Sequence, residues 1–114
     1  MNSVNITNNI TIGNNGRFAL LAGPCAIESE GMTMEVAYKL KDICTRLEIP
    51  FIFKSSFDKA NRTSIHSFRG PGLERGLQLL ADVKQRWGLS LLTDIHEAWQ
   101  AEAVGQVVDV VQIP

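Results

Sequence analysis

Phe18-Ala19-Leu20-Leu21-Ala22 is an unbroken apolar run, and Gly23-Pro24 ends it. With no polar residue in the run, neither face of a strand formed here is suited to water, which is the condition of a strand inside a parallel sheet. Short runs of the same kind recur at Pro50-Phe51-Ile52-Phe53, Leu89-Ser90-Leu91-Leu92-Thr93 and Asp109-Val110-Val111-Gln112-Ile113. Between them the apolar residues switch to helical spacing. Val36, Ala37, Leu40, Ile43, Cys44 and Leu47 share one face of a helix expected from about Gly31 to Leu47, with Ser29 as its N-cap. Leu73, Leu77, Leu80, Val83 and Trp87 line a second helix, Leu73 to Trp87, and Gly88 stands where a capping glycine belongs. A shorter helix is expected from about Glu97 to Gln106, and Trp87 and Trp99 are expected to pack against neighbours.

Strands alternating with helices predict an α/β fold, a parallel sheet joined by right-handed crossovers. Two closures satisfy this order, an open doubly wound sheet and a (β/α)8 barrel. A complete barrel takes roughly 200 residues or more, so 114 residues would supply about half of one. A half-barrel has two bare strand edges, an aggregation hazard; the expectation is that a missing segment or another chain completes it. Upstream, Val4 to Ile12 alternates weakly and is rich in β-branched residues, and Asn14-Asn15-Gly16 is a turn signal. Together they predict a small N-terminal hairpin leading into the first core strand.

Apolar residues at 45% and charged residues at 20% suit a chain that buries a core. A net charge of −1 argues against a broad nucleic-acid surface; an anionic ligand would need a local cationic pocket. The two cysteines, Cys25 and Cys44, do not form a secreted disulfide scaffold. The polar start Met1-Asn2-Ser3-Val4 has no signal-peptide core, and no apolar run approaches the roughly 20 residues that span a bilayer. The expectation is a cytoplasmic protein with reduced thiols and no membrane or nucleic-acid partner.

Ligands of parallel α/β folds bind at the carboxyl ends of the strands. After the first run comes Gly23-Pro24-Cys25; after the second, Lys54-Ser55-Ser56-Phe57-Asp58-Lys59-Ala60-Asn61-Arg62-Thr63-Ser64; after the third, Asp94 and His96; at the end of the fourth, Gln112. Lys54, Lys59 and Arg62 place cations close together beside hydroxyls and an amide. Arginine grips phosphate with a planar fork and lysine adds a mobile charge. A solvated basic loop has the same composition, but the position after a buried strand favours an anion site. Cys25 reads either as a small packed hydrophobe or as a thiolate for metal binding or attack. His96 reads as a loop residue or a partner of Asp94, Cys44 reads as core packing, and His66 has no assignment. No P-loop and no dinucleotide glycine fingerprint is present.

The segments Gly23 to Ser29, Phe53 to Gly70, Thr93-Asp94-Ile95-His96-Glu97 and Val111-Gln112-Ile113-Pro114 resemble 3-deoxy-D-manno-octulosonate 8-phosphate synthases. The similarity runs from Phe18 onward, and its long central stretch is specific. It implies a (β/α)8 TIM barrel, of which this chain supplies an N-terminal hairpin and about the first four strands with three helices. The implied organisation is one partial domain over residues 1–114, with a hairpin region at 1–17 and the first half of the barrel at 18–114. The family activity is condensation of phosphoenolpyruvate with D-arabinose 5-phosphate, in lipopolysaccharide precursor synthesis, usually by a cytoplasmic homotetramer.

By the same resemblance, Lys59, Asp94 and His96 form the catalytic group. Lys54, Ser56, Lys59 and Gln112 bind phosphoenolpyruvate, and Asn61, Arg62 and Thr63 hold arabinose 5-phosphate. Cys25 would be a metal ligand, because family members with cysteine here resemble the class requiring a divalent transition metal (zinc, iron or manganese). The family pattern continues past Pro114 with a lysine, an arginine and three further metal ligands, so the 114-residue chain is expected to be inactive alone. The related 3-deoxy-D-arabino-heptulosonate 7-phosphate synthases share the Gly-Pro-Cys turn but carry Lys-Pro-Arg-Thr-Ser, where this chain has Lys59-Ala60-Asn61-Arg62-Thr63-Ser64. That favours the octulosonate enzyme over the heptulosonate one. A catalytically inert half-barrel fragment is the alternative of a different class.

Overall fold

The computed structural model describes residues 2–13, 18–60 and 69–114. Its elements in chain order are strands β1 (Val4–Asn5), β2 (Thr11–Ile12) and β3 (Leu20–Ala22), helix α1 (Glu30–Arg46), strand β4 (Phe51–Lys54), helix α2 (Leu73–Trp87) and strand β5 (Ser90–Asp94). A 3-10 turn (Ala98–Gln100), helix α3 (Ala101–Gly105) and strand β6 (Val110–Gln112) follow. β3, β4, β5 and β6 form one parallel sheet in sequence order.

The helix boundaries follow local chemistry. Ser29 Oγ accepts from the Met32 amide at 3.1 Å, which occupies one of the donors that a helix start leaves free. Gly88 ends α2 in the left-handed region at φ 68°, a conformation that costs glycine little. Gly23 is required for a different reason: a Cβ there would lie 1.9 Å from the Lys54 carbonyl oxygen, so only glycine lets β3 leave the sheet beside β4.

Register divides the sheet into two faces. Ala22, Phe53 and Leu91 align across β3, β4 and β5, and they join Ala37 and Cys44 of α1, Leu79, Leu80 and Val83 of α2 and Val104 of α3 in the main core. The three helices therefore cover one face. On the other face, Ile52 and Leu92 pack with Ile10 of the hairpin. The hairpin itself turns within residues 6–10, where Thr7 Oγ1 accepts from the amides of Asn9 and Ile10, both at 3.2 Å. The expected turn at Asn14-Asn15-Gly16 lies outside the described residues.

Three expectations are corrected. The α1 stripe is narrower than its spacing implies: Ala37 and Cys44 are buried, whereas Ile43 and Leu47 are 43% and 63% exposed at its margin and end. The third helix is split, because Glu97 remains extended and a 3-10 turn precedes the short α3. Trp99 does not pack inward; on that turn it is 69% exposed.

Candidate functional site at the carboxyl ends of the strands

Lys54 is the last residue of β4 and aligns with Leu92 of β5. Asp94 is the last residue of β5 and aligns with Gln112, the last of β6. Leu92 and Asp94 are two apart, so alternation puts Lys54, Asp94 and Gln112 on one face, the face away from the helices. An ammonium, a carboxylate and an amide thus stand together just above the apolar Ile52 and Leu92.

His96 continues the same alternation beyond β5. Its Nε2 lies 3.4 Å from Asp94 Oδ2, and each side chain is only 13% exposed. The contact does not form a hydrogen bond, and among the described residues His96 Nε2 is buried without a hydrogen-bond partner. The imidazole meets the Phe57 ring edge-on at 6.1 Å between centroids. It also lines a cavity of about 350 Å³ with Ile95, Glu97, Ala98, Ile113 and Pro114.

The first two strand ends are tied to each other. The Ser56 amide donates to the Cys25 carbonyl at 3.3 Å, and the Ser56 carbonyl accepts from the Ile27 amide at 3.0 Å. Cys25 and buried Ser56 are therefore neighbours across the rim. Cys25 is a free, exposed thiol, whereas Cys44 is buried and its burial pushes that thiol above its ordinary range. No three histidine, cysteine, aspartate or glutamate side chains converge among the described residues. The residues present thus suit a single soft metal donor at Cys25, not a complete cage.

Lys59 is half-buried beyond Ser56, and its backbone is held: its amide donates to the Arg69 carbonyl at 2.6 Å. Asn61, Arg62 and Thr63 lie outside the described residues, as does His66. The structure accordingly brings Lys54, Asp94, His96 and Gln112 to one rim and Cys25 beside Ser56.

Several supporting residues were not singled out from sequence. Thr93 Oγ1 donates to the Ser55 carbonyl and Ser55 Oγ donates to the Pro24 carbonyl, both at 2.7 Å. These two buried hydroxyls link the ends of β3, β4 and β5. Asp58 accepts both Nε and Nη2 of Arg69 at 2.9 Å, the geometry of a bidentate pair. Phe57 is fully buried against α2, where a Cβ on Gly76 would lie 2.3 Å from the Phe57 Cβ. Hydroxyls at matching strand ends are a weak sequence signal; the Asp58–Arg69 pairing has none.

Fold and site together define a parallel α/β protein with a mixed cationic, acidic and amide rim at its strand ends. Residues 2–114 match the model of the DAHP synthetase I family, and the chain belongs to that family. It is 55% identical over 114 residues to a 2-dehydro-3-deoxyphosphooctonate aldolase of Cyanothece sp., covering 100% of this chain and 42% of that protein. A protein of the same name from Fusobacterium nucleatum is 51% identical over 106 residues, 93% of this chain and 38% of the relative. The one from Acidithiobacillus ferrooxidans is 56% identical over 97 residues, 85% of this chain and 34% of the relative. The chain thus spans about two-fifths of the length of the curated relatives it matches.

Proposed function

We propose that this chain carries the strand-end residues of an enzyme that condenses phosphoenolpyruvate with D-arabinose 5-phosphate, giving 3-deoxy-D-manno-octulosonate 8-phosphate and phosphate. The observation that carries the reading is the shared face of Lys54, Asp94 and Gln112 at the carboxyl ends of parallel strands. The relatives' name, 2-dehydro-3-deoxyphosphooctonate aldolase, supports the octulosonate product over the heptulosonate one. Helices on one face and strands in sequence order support a (β/α)8 barrel over a doubly wound sheet, which has helices on both faces. Residues 18–114 would form its first half, with residues 1–17 as the hairpin region. The assembly would be a cytoplasmic homotetramer.

In this mechanism the alkene carbon of phosphoenolpyruvate bonds to the sugar aldehyde carbon. Water adds to the adjacent carbon, and phosphate leaves with cleavage of its carbon–oxygen bond. Lys54, Ser56, Lys59 and Gln112 would bind phosphoenolpyruvate, the two ammonium groups offsetting its carboxylate and phosphate. Asn61, Arg62 and Thr63 would hold the phosphate of the sugar. Asp94 and His96 would face the reacting carbons, and the unpartnered Nε2 would take a substrate oxygen if the complete site opens to it. Cys25 would contribute one thiolate to a divalent transition metal, which when bound would polarise the aldehyde or the water.

The test is a chimera of this chain with the remaining residues of the Cyanothece sp. relative. Phosphate release that requires arabinose 5-phosphate is expected. A preference for erythrose 4-phosphate would overturn the reading. The 114-residue chain alone is expected to release none, since its described residues supply four parallel strands where the proposed barrel has eight.

A further inference from the structure

Asp94 and His96 can share a rim only if the chain stays extended past the end of β5. Alternation then sends Ile95 into the main core, where it is 6% exposed, and turns its two neighbours outward. Glu97 is still extended, at φ −133° and ψ 143°. Such a segment has outrun its partner strand. The Ile95 amide still finds the Gln112 carbonyl at 3.1 Å, but among the described residues no backbone carbonyl accepts from the next two amides. Unpaired, they would favour a tighter turn that satisfies them and swings the imidazole away.

One side chain meets both. Gln100 Oε1 accepts from the His96 amide at 2.8 Å and from the Glu97 amide at 3.2 Å. Gln100 is 6% exposed, so water does not readily replace it. It is the last residue of the 3-10 turn, and its side chain and that of Glu97 each accept from the other's backbone amide in a capping box.

We propose that Gln100 is a positioning residue for the reaction: its buried carboxamide oxygen holds residues 96 and 97 extended and so keeps the His96 imidazole between Asp94 and Phe57. Its relevance to turnover rests on the function proposed above; the positioning itself does not. Gln100→Met removes the acceptor at nearly the same volume, and Gln100→Glu retains an acceptor oxygen.

Nuclear magnetic resonance of the 114-residue chain reads the positioning directly. In Gln100→Met the His96 and Glu97 amides should exchange about tenfold faster, the loss expected for one hydrogen bond, and the cross-peaks between the His96 and Phe57 rings should vanish. The Leu91 amide, bonded to Asp109 Oδ2 at 2.8 Å, should keep its protection, and Gln100→Glu should restore the ring contact. Ring cross-peaks that persist in Gln100→Met would overturn the proposal. If Gln100→Met does not fold, Gln100→Glu decides: a retained ring contact supports the proposal, and its loss in a folded chain overturns it. In the chimera, Gln100→Met should lower kcat about tenfold with both KM values within about twofold, as misplacement at the reacting centre predicts. An unchanged kcat in that variant would also overturn it. A chimera inactive without any substitution would instead count against the proposed function and leave the resonance result standing.

Discussion

Phe53 and Lys54 are neighbours in β4 and sit on opposite faces of the sheet. On the Phe53 side, all three helices close over apolar residues, and Phe53 itself has no exposure. On the Lys54 side, a hairpin covers Ile52 and Leu92 through Ile10, and the strands then end in ammonium, carboxylate and amide groups. The same alternation that builds a core on one face therefore delivers a polar rim on the other. The apolar core and the polar rim are thus built by adjacent residues of one strand, which makes the two faces separable by substitution.

The largest expected effect breaks the helix-covered face. Phe53→Ala should cost about 3–5 kcal/mol, the range for truncating a buried aromatic, measured by denaturant unfolding of the chain. Lys54→Ala should stay within about 1 kcal/mol in the same experiment, because a half-buried residue at a strand end leaves no cavity. In the chimera the order should invert for chemistry, with Lys54→Ala losing turnover at protein concentrations where it is fully folded. A comparable stability loss for both variants would remove the distinction between the faces.

A second effect divides the cationic loop. Arg62→Ala in the chimera should weaken arabinose 5-phosphate more than phosphoenolpyruvate, and Lys59→Ala the reverse. Each loss should be about ten- to hundred-fold, equivalent to about 1.5–3 kcal/mol for a charge-assisted contact. Calorimetric titration of each variant with each ligand measures this. Equal losses for both ligands would mean that the loop has no such division.

What periodicity encodes was legible from residues alone. The expected span of α2, Leu73 to Trp87, is the observed one, because an apolar stripe and a terminal glycine specify both ends. The four short runs became the four parallel strands, and Lys54, Asp94 and Gln112 at their ends share one face. What was not legible depends on pairs distant in sequence. Asp58 with Arg69, and Thr93 with Ser55 and Pro24, are side-chain bonds that no local spacing announces. The exposure of Trp99 was missed because helical position alone does not say which face meets the sheet.

The smallest effect concerns the two thiols, which lie on the two sides of the same comparison. Cys44 belongs to the helix-covered core, and its burial raises the pKa, so it stays protonated and unreactive. Cys25 lies exposed at the rim. Iodoacetamide should therefore modify Cys25 in the folded chain and reach Cys44 only as fast as the chain opens, which peptide mass mapping over time would show. The raised pKa also has a sign for stability. The unfolded thiol loses its proton first, so the Cys44 contribution is complete below the ordinary thiol pKa and declines as pH rises above it. Cys44→Ala should remove that alkaline decline at a cost of about 1 kcal/mol near neutral pH. Cys25→Ala should leave the unfolding curve unmoved within about 0.5 kcal/mol while lowering the metal content of the chimera. Faster labelling of Cys44 than of Cys25 would contradict the assignment of one thiol to packing and the other to the rim.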